Sequence, residues 1–275
     1  MMAYAVELEL LEKDPIKTLN WEPPDRVTYQ VDRRSVINPY QGKKLLEAIG
    51  NRKPSGPLLK PFFALLYYSG LRPEEAVNVF EEDLTLPDND EEWGEIYIHE
   101  ATPDAGRAWT DSGEIRDKRG LKHRPRGDGR WVPVPPPLVT ILRRHKKENG
   151  FGPGGRICYG LQGGVLATST ILRIFNQVRE DAFTEAEQKS PLATRPYDLR
   201  HACLSTWLNA GVSITQVAEW AGNSPDVLSH VYAKCLTGQG AIDRAKISTV
   251  LDDRSWEMVP GPGSSSQIPA GGSSM

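Results

Sequence analysis

The stretch Arg195-Pro196-Tyr197-Asp198-Leu199-Arg200-His201 sets the terms on which the rest of the chain is read. It opens a helical pattern from Asp198 to Ala210 that Gly211 ends. Thirty-two positions after Arg200 comes Tyr232, and far upstream stands Arg72, in Gly70-Leu71-Arg72-Pro73. Two arginines can grip one phosphate, because a guanidinium is planar, always charged and donates two parallel hydrogen bonds. A tyrosine hydroxyl can attack that phosphate, so a phosphodiester can be cut this way with neither metal nor nucleotide cofactor. Each residue alone has a plainer reading. Arg72 suits a surface ion pair with an acid such as Glu75, Arg200 a helix-start arginine, and Tyr232 a core position.

Outward from these residues the pattern is of short helices around a few strands. Leu58 to Ser69 is apolar nearly all round, which predicts a buried helix stopped by Gly70. Pro73 suits the first turn of the next helix, with Glu74 and Glu75 against its dipole. Residues 40–49 read as a helix after Asn38-Pro39, closed by Gly50. Residues 96–99 and 131–135 read as strands, the second at a sheet edge because proline cannot donate to a ladder. Arg126-Gly127-Asp128-Gly129 is a hairpin-turn signal between them. Helical spacing returns over 138–147 and 168–183. Ser213 caps a helix through Ala221, ended by Gly222, and Ser224 with Pro225 starts another that runs through Leu236. Residues 3–13 read as a short amphipathic helix, and Trp21-Glu22-Pro23-Pro24-Asp25 as an extended linker. From Pro260 the Gly, Pro and Ser tail has almost nothing to bury and reads as disordered.

The chain has 275 residues, 39% of them hydrophobic, enough for one large domain or two small ones with a proper core. No apolar run approaches the ~20 residues of a membrane helix. The start lacks the basic and apolar regions of a secretory signal, so the expected location is cytoplasmic. Cys158, Cys203 and Cys235 are odd in number and widely spaced, with no CxxC pair, and the five histidines show no HxxxH spacing. That argues against a disulfide framework and a zinc site, and the cysteines read as small buried hydrophobes. No metal or cofactor is expected. The net charge of −3 argues against a nucleic-acid partner, but it is unevenly spread. Residues 81–100 hold nine acids and no Lys or Arg, whereas residues 116–130 hold seven bases against two acids. Such a local field can attract phosphate.

Taken in order, Arg72, a lysine-bearing hairpin, the Tyr-x-Leu-Arg-His box and the late tyrosine resemble the catalytic domain of tyrosine recombinases, the phage integrase family. The resemblance runs from about residue 35 to 250. Leu121-Lys122-His123-Arg124, the box at 195–201 and Val231-Tyr232-Ala233-Lys234-Cys235 are most similar to integrases of actinobacteria and their mobile elements. It implies an α+β, mainly α, fold: a helical catalytic domain with a small antiparallel sheet. Arg72 and Arg200 would bind the non-bridging oxygens of the scissile phosphate. Tyr232 would be the nucleophile, forming a 3′-phosphotyrosyl bond and releasing a 5′-hydroxyl. Lys122 would be the general acid for the leaving oxygen, with Lys118 the alternative. Arg119, Arg124, Arg126, Arg130 and His201 would bind DNA.

Two positions depart from the commoner pattern of the family. Tyr197 stands where histidine is frequent, which suits hydrogen bonding better than proton abstraction. Asn223 stands where histidine or tryptophan is frequent; it can donate to a phosphate oxygen but carries no charge. His201 and His230 are spare imidazoles whose spacing fixes no role.

By this resemblance residues 1–34 are the last helix and linker of a core-binding domain otherwise missing, residues 35–252 the catalytic domain, and residues 253–275 a disordered tail. The chain then reads as a truncated recombinase acting on double-stranded attachment sites, as a tetramer on DNA, in the bacterial cytoplasm and associated with the nucleoid. An accessory directionality protein is a possible partner, and no membrane is. The alternative is a catalytically impaired, DNA-binding remnant of an integrase. A phosphodiesterase outside this family would give hydrolysis products in place of a covalent intermediate.

Overall fold

The computed structural model describes residues 2–17, 19, 30–110, 112–113, 115–121, 125, 127–235 and 239–251. The expected linker at 21–25 and the tail from Pro260 lie outside them, as do Lys122, Arg124 and Arg126. The architecture is the expected one, mainly helical with a small antiparallel sheet.

Helix α1 (Met2–Glu7) is shorter than the expected 3–13 and buries no residue. An isolated helix of this length has too few hydrogen bonds to offset its nucleation cost. Helix α2 (Pro39–Asn51) starts at a reciprocal cap. The Gln41 amide donates to Asn38 Oδ1 at 2.9 Å, and the Asn38 amide to Gln41 Oε1 at 3.0 Å. Gly50 does not close it; the helix runs one residue further.

Helix α3 (Gly56–Tyr68) is the core's axis. Leu59, Phe62, Phe63, Leu65 and Leu66 are all buried along it, which is why its pattern is apolar nearly all round. It packs against α2, against α5 (Pro136–Asn149) and against α8 (Tyr197–Asn209). Phe63 stacks on Phe175 of α6 (Thr168–Ala182), ring centroids 5.6 Å apart. After α3, Gly70 takes a positive φ of 60° and turns the chain into the single turn α4 (Pro73–Ala76).

The sheet has the order β1 (Leu84–Thr85), β2 (Gly94–Ile98), β5 (Arg130–Val134), all antiparallel. As expected, β5 is an edge strand and carries Pro133. Ile96, Ile98, Val132 and Val134 face the core. Between β2 and β5 the chain makes a second ribbon, β3 (Glu100–Ala101) with β4 (Arg119–Gly120).

The short helix α7 (Glu185–Gln188) leads toward the buried α8. Helix α9 (Ile214–Ala221) is capped by Ser213, and α10 (Pro225–Tyr232) by Ser224. Helix α10 does not continue to Leu236; its last turn gives way to a 3-10 turn at Ala233–Cys235. Helix α11 (Gln239–Leu251) follows. The three cysteines are buried and unbridged, and no helix among the described residues is long and apolar enough to cross a membrane.

Phe63 is fully buried and stacked. Phe63→Ala should therefore lower unfolding stability by about 3–5 kcal/mol in urea denaturation. A loss under about 1 kcal/mol would contradict this packing.

Candidate active site

The site is organised by the C-terminal end of α9. The last carbonyls of any helix lack partners within it, and they carry the negative end of its dipole. Here three successive ones each receive an arginine. Arg130 Nε donates to Trp220 O at 2.8 Å, Arg200 Nη2 to Ala221 O at 2.8 Å, and Arg72 Nη2 to Gly222 O at 2.6 Å. Arg200 Nη1 also donates to Gly70 O, just before Arg72. These bonds join α4, β5, α8 and α9 at one point.

Gly222 is required there twice over. Its φ is 64°, in the left-handed region. A Cβ on it would lie 3.0 Å from Arg130 Cζ and 3.1 Å from Arg72 Nη1.

A carboxylate ties the guanidiniums together. Glu75, 1% exposed, receives Arg72 Nη1 on Oε1 at 2.9 Å and Arg130 Nη2 on Oε2 at 2.8 Å. The Arg72 backbone amide also donates to Oε2, at 2.9 Å. Burial works to raise the Glu75 pKa, but Arg130, then Arg72 and Arg200, overcome it and hold the carboxyl down at about 2. Arg72 and Arg130 thus share one carboxylate, with the charge of Arg200 acting on it as well, so positive charge gathers at low dielectric. That is the electrostatic setting of an anion site, whatever the net charge of the chain. Arg72 is the most accessible of the three, with 17% of its side chain exposed. Asn223 Oδ1 accepts from Arg72 Nη2 at 2.6 Å, so Asn223 helps aim that guanidinium.

Tyr232, at the end of α10, comes to the same place. Arg200 acts on its hydroxyl, pulling its pKa down against burial, which dominates and pushes it far up. The residue is 2% exposed, and its Oη lies 2.8 Å from His201 Nδ1. Burial lowers the His201 pKa to about 4, Asp198 opposing it and Arg200 and Arg195 adding to it, so the ring is neutral at pH 7. Tyr197 is partly buried and meets His201 edge-on at 5.0 Å, with Arg200 Cζ 6.0 Å from its ring centroid. The start of α8 is held by Asp198, which accepts from the Arg195 amide at 2.9 Å and pairs with Arg195 Nη2 at 3.1 Å.

The structure therefore brings together Arg72, Tyr197, Arg200, Asn223 and Tyr232, residues spread over 160 positions of sequence. Two residues expected to contact DNA are buried. Arg130 is 3% exposed and bonded to Glu75 and Trp220. His201 is 4% exposed against Tyr232. Arg119 is exposed on β4. Lys118 is exposed and pairs with Glu100 at 3.2 Å. His230 is exposed and bonds the Asp226 carbonyl on its own helix. Glu75 was legible only as an ion-pair partner for Arg72; its bond to Arg130 had no local signal.

Comparison with solved structures places this fold. The Tn1549 transposon integrase, in complex with transposon right end DNA, superposes with a TM-score of 0.59 at 16% identity, over 90% of this chain and 75% of that one. The XerH site-specific recombinase, bound to palindromic difH substrate in a post-cleavage complex, gives 0.53 at 15% identity, over 79% of this chain. The chain spans 54% of the XerH chain. No family model matches the chain, and no curated protein matches it. The chain has the fold of the tyrosine recombinase catalytic domain.

Removing the shared carboxylate leaves Arg72 and Arg130 buried without it. Glu75→Gln should cost about 3–5 kcal/mol of stability at pH 7. The stabilisation from Glu75 is fully present above its unfolded pKa of 4.5 and is lost as pH falls toward about 2. Urea titrations from pH 7 to pH 2 should show wild type and variant converging on the acid side. A constant gap across that range would contradict the role given to Glu75.

Proposed function

We propose that this chain, over residues 35–252, is the catalytic domain of a site-specific DNA recombinase that cuts and rejoins DNA through a phosphotyrosyl link to Tyr232. The observation that carries this reading is the convergence of Arg72 and Arg200 on one helix end, with the Tyr232 hydroxyl bonded to His201, the residue after Arg200.

In this reading the scissile phosphate enters on the exposed side of Arg72, and the two guanidiniums take its non-bridging oxygens. Their bonds strengthen as charge builds on pentacoordinate phosphorus, which lowers the barrier. Tyr232 Oη bonds to phosphorus, the bond to the 5′ oxygen breaks, and that oxygen leaves as a hydroxyl with a proton from Lys122. Asn223 and Glu75 keep Arg72 aimed, and Arg130 acts through Glu75. Tyr197 is a hydrogen-bonding and stacking neighbour of the phosphate pocket. Arg119, Arg124 and Arg126 neutralise backbone phosphates, which makes binding salt-dependent. The link stores the phosphodiester energy, so a partner strand's 5′-hydroxyl can reverse the step without ATP. Recombination pairs four copies on two attachment sites in a bacterial cytoplasm, with an accessory protein setting direction.

One observation favours a second reading. Tyr232 is covered in the chain alone, and a phosphate reaches its hydroxyl only after that cover shifts. If that shift never occurs, the chain binds DNA without cutting it.

A nicked duplex that loses its short 5′-hydroxyl fragment on cleavage separates the two. Wild type should accumulate a covalent protein–DNA adduct on a denaturing gel, and Tyr232→Phe should form none. Salt-dependent binding with no adduct supports the second reading, and an adduct that survives Tyr232→Phe overturns the first.

A further inference from the structure

The Tyr232 hydroxyl makes one hydrogen bond among the described residues, and its partner is an imidazole. We propose that His201 is the general base of the reaction, taking the Tyr232 proton as the strand is cut and returning it as the strand is rejoined. This deepens the reading above and rests on it.

The geometry comes first. Nδ1 of His201 and Oη of Tyr232 are 2.8 Å apart, with ring centroids separated by 5.6 Å and planes at 61°. A base must lie within hydrogen-bond reach of the proton it removes, and this one does. Both residues are buried, so no water competes for the hydroxyl. They sit on different helices, α8 and α10, and Arg200, which would hold the phosphate, is the next residue to His201 on α8. One helix therefore carries both the arginine and the base.

The ring is unprotonated, and burial keeps it a weak base until an anion arrives. Asp198, Arg200 and Arg195 are the charged groups that act on it, and the ring is neutral at pH 7. As a base, His201 takes the tautomer in which Nδ1 accepts from the phenol and Nε2 carries the ring's proton. A phosphodiester arriving on Arg72 and Arg200 adds negative charge, which favours imidazolium just as the proton is transferred. The other candidates lack this placement. His230 is exposed with its Nδ1 on the Asp226 carbonyl, and Tyr197 meets the His201 ring edge-on.

The step balances. Oη forms its bond to phosphorus and its proton passes to Nδ1. The bond between phosphorus and the 5′ oxygen breaks, and that oxygen takes a proton from the separate acid assigned to Lys122. In rejoining, the 5′-hydroxyl returns its proton to that acid as it attacks phosphorus. The bond to Oη breaks, and Oη takes its proton back from His201.

The test is single-turnover adduct formation on the nicked duplex by wild type, His201→Ala and His201→Asn, with DNA affinity measured by fluorescence anisotropy. Both variants should bind DNA like wild type but form adduct about 10²–10³-fold more slowly. Added imidazole should restore part of the rate in His201→Ala. A duplex with sulfur in place of the bridging 5′ oxygen, whose leaving group needs no acid, should leave the defect in place. An adduct rate for His201→Asn within about threefold of wild type overturns the proposal, as does full rescue by the sulfur substrate. His201→Asn keeps a polar side chain without a usable base, and it decides the matter if the alanine variant does not fold. No adduct from wild type would instead overturn the functional reading itself.

Discussion

Three guanidiniums donating to three consecutive carbonyls at the end of α9 hold this site together. A helix end buried without partners would be costly, and so would a cluster of buried arginines. Here each meets the other's need. Glu75 completes the arrangement by neutralising part of the charge and by fixing Arg72 through its backbone as well as its side chain. Because α4, β5, α8 and α9 all contribute, the site forms only when the whole domain has packed around α3. The charge left over after Glu75 is what the proposed phosphate contact would draw on.

That arrangement also explains which parts could be read before the fold was known. Arg72, Arg200 and Tyr232 stood in recognisable local contexts, each set by residues a few positions away. The buried helix over Leu58–Ser69 and the caps at Ser213 and Ser224 were legible for the same reason, since each rests on contacts within a few residues. Helix ends were read less well. Residues 3–13 carried an amphipathic spacing with nothing to pack on, and α10 stops at Tyr232 where the pattern alone suggested Leu236.

Arg130 and His201 lie deeper than their neighbours in sequence suggested. Arg130 closes a run of basic residues, and such runs usually face water. Its strand alternation said otherwise: Arg130, Val132 and Val134 share one face of β5, and that face is buried. His201 follows Arg200, to which the resemblance assigns a phosphate contact, and that suggested a DNA contact. On a helix, though, adjacent residues point about 100° apart, and α8 is buried nearly all round. Neither the bond to Trp220 nor the bond to Tyr232 could be inferred without the tertiary fold.

The central claim is that Arg72, Arg200 and Tyr232 act on one phosphorus atom. The most direct measurement is a crystal structure of the chain with a nicked duplex and orthovanadate, which takes the pentacoordinate geometry of a phosphate in transit. The account predicts vanadium bonded to Tyr232 Oη, with Arg72 and Arg200 on its equatorial oxygens. Vanadium held away from Tyr232, or coordinated with neither arginine in contact, would contradict it.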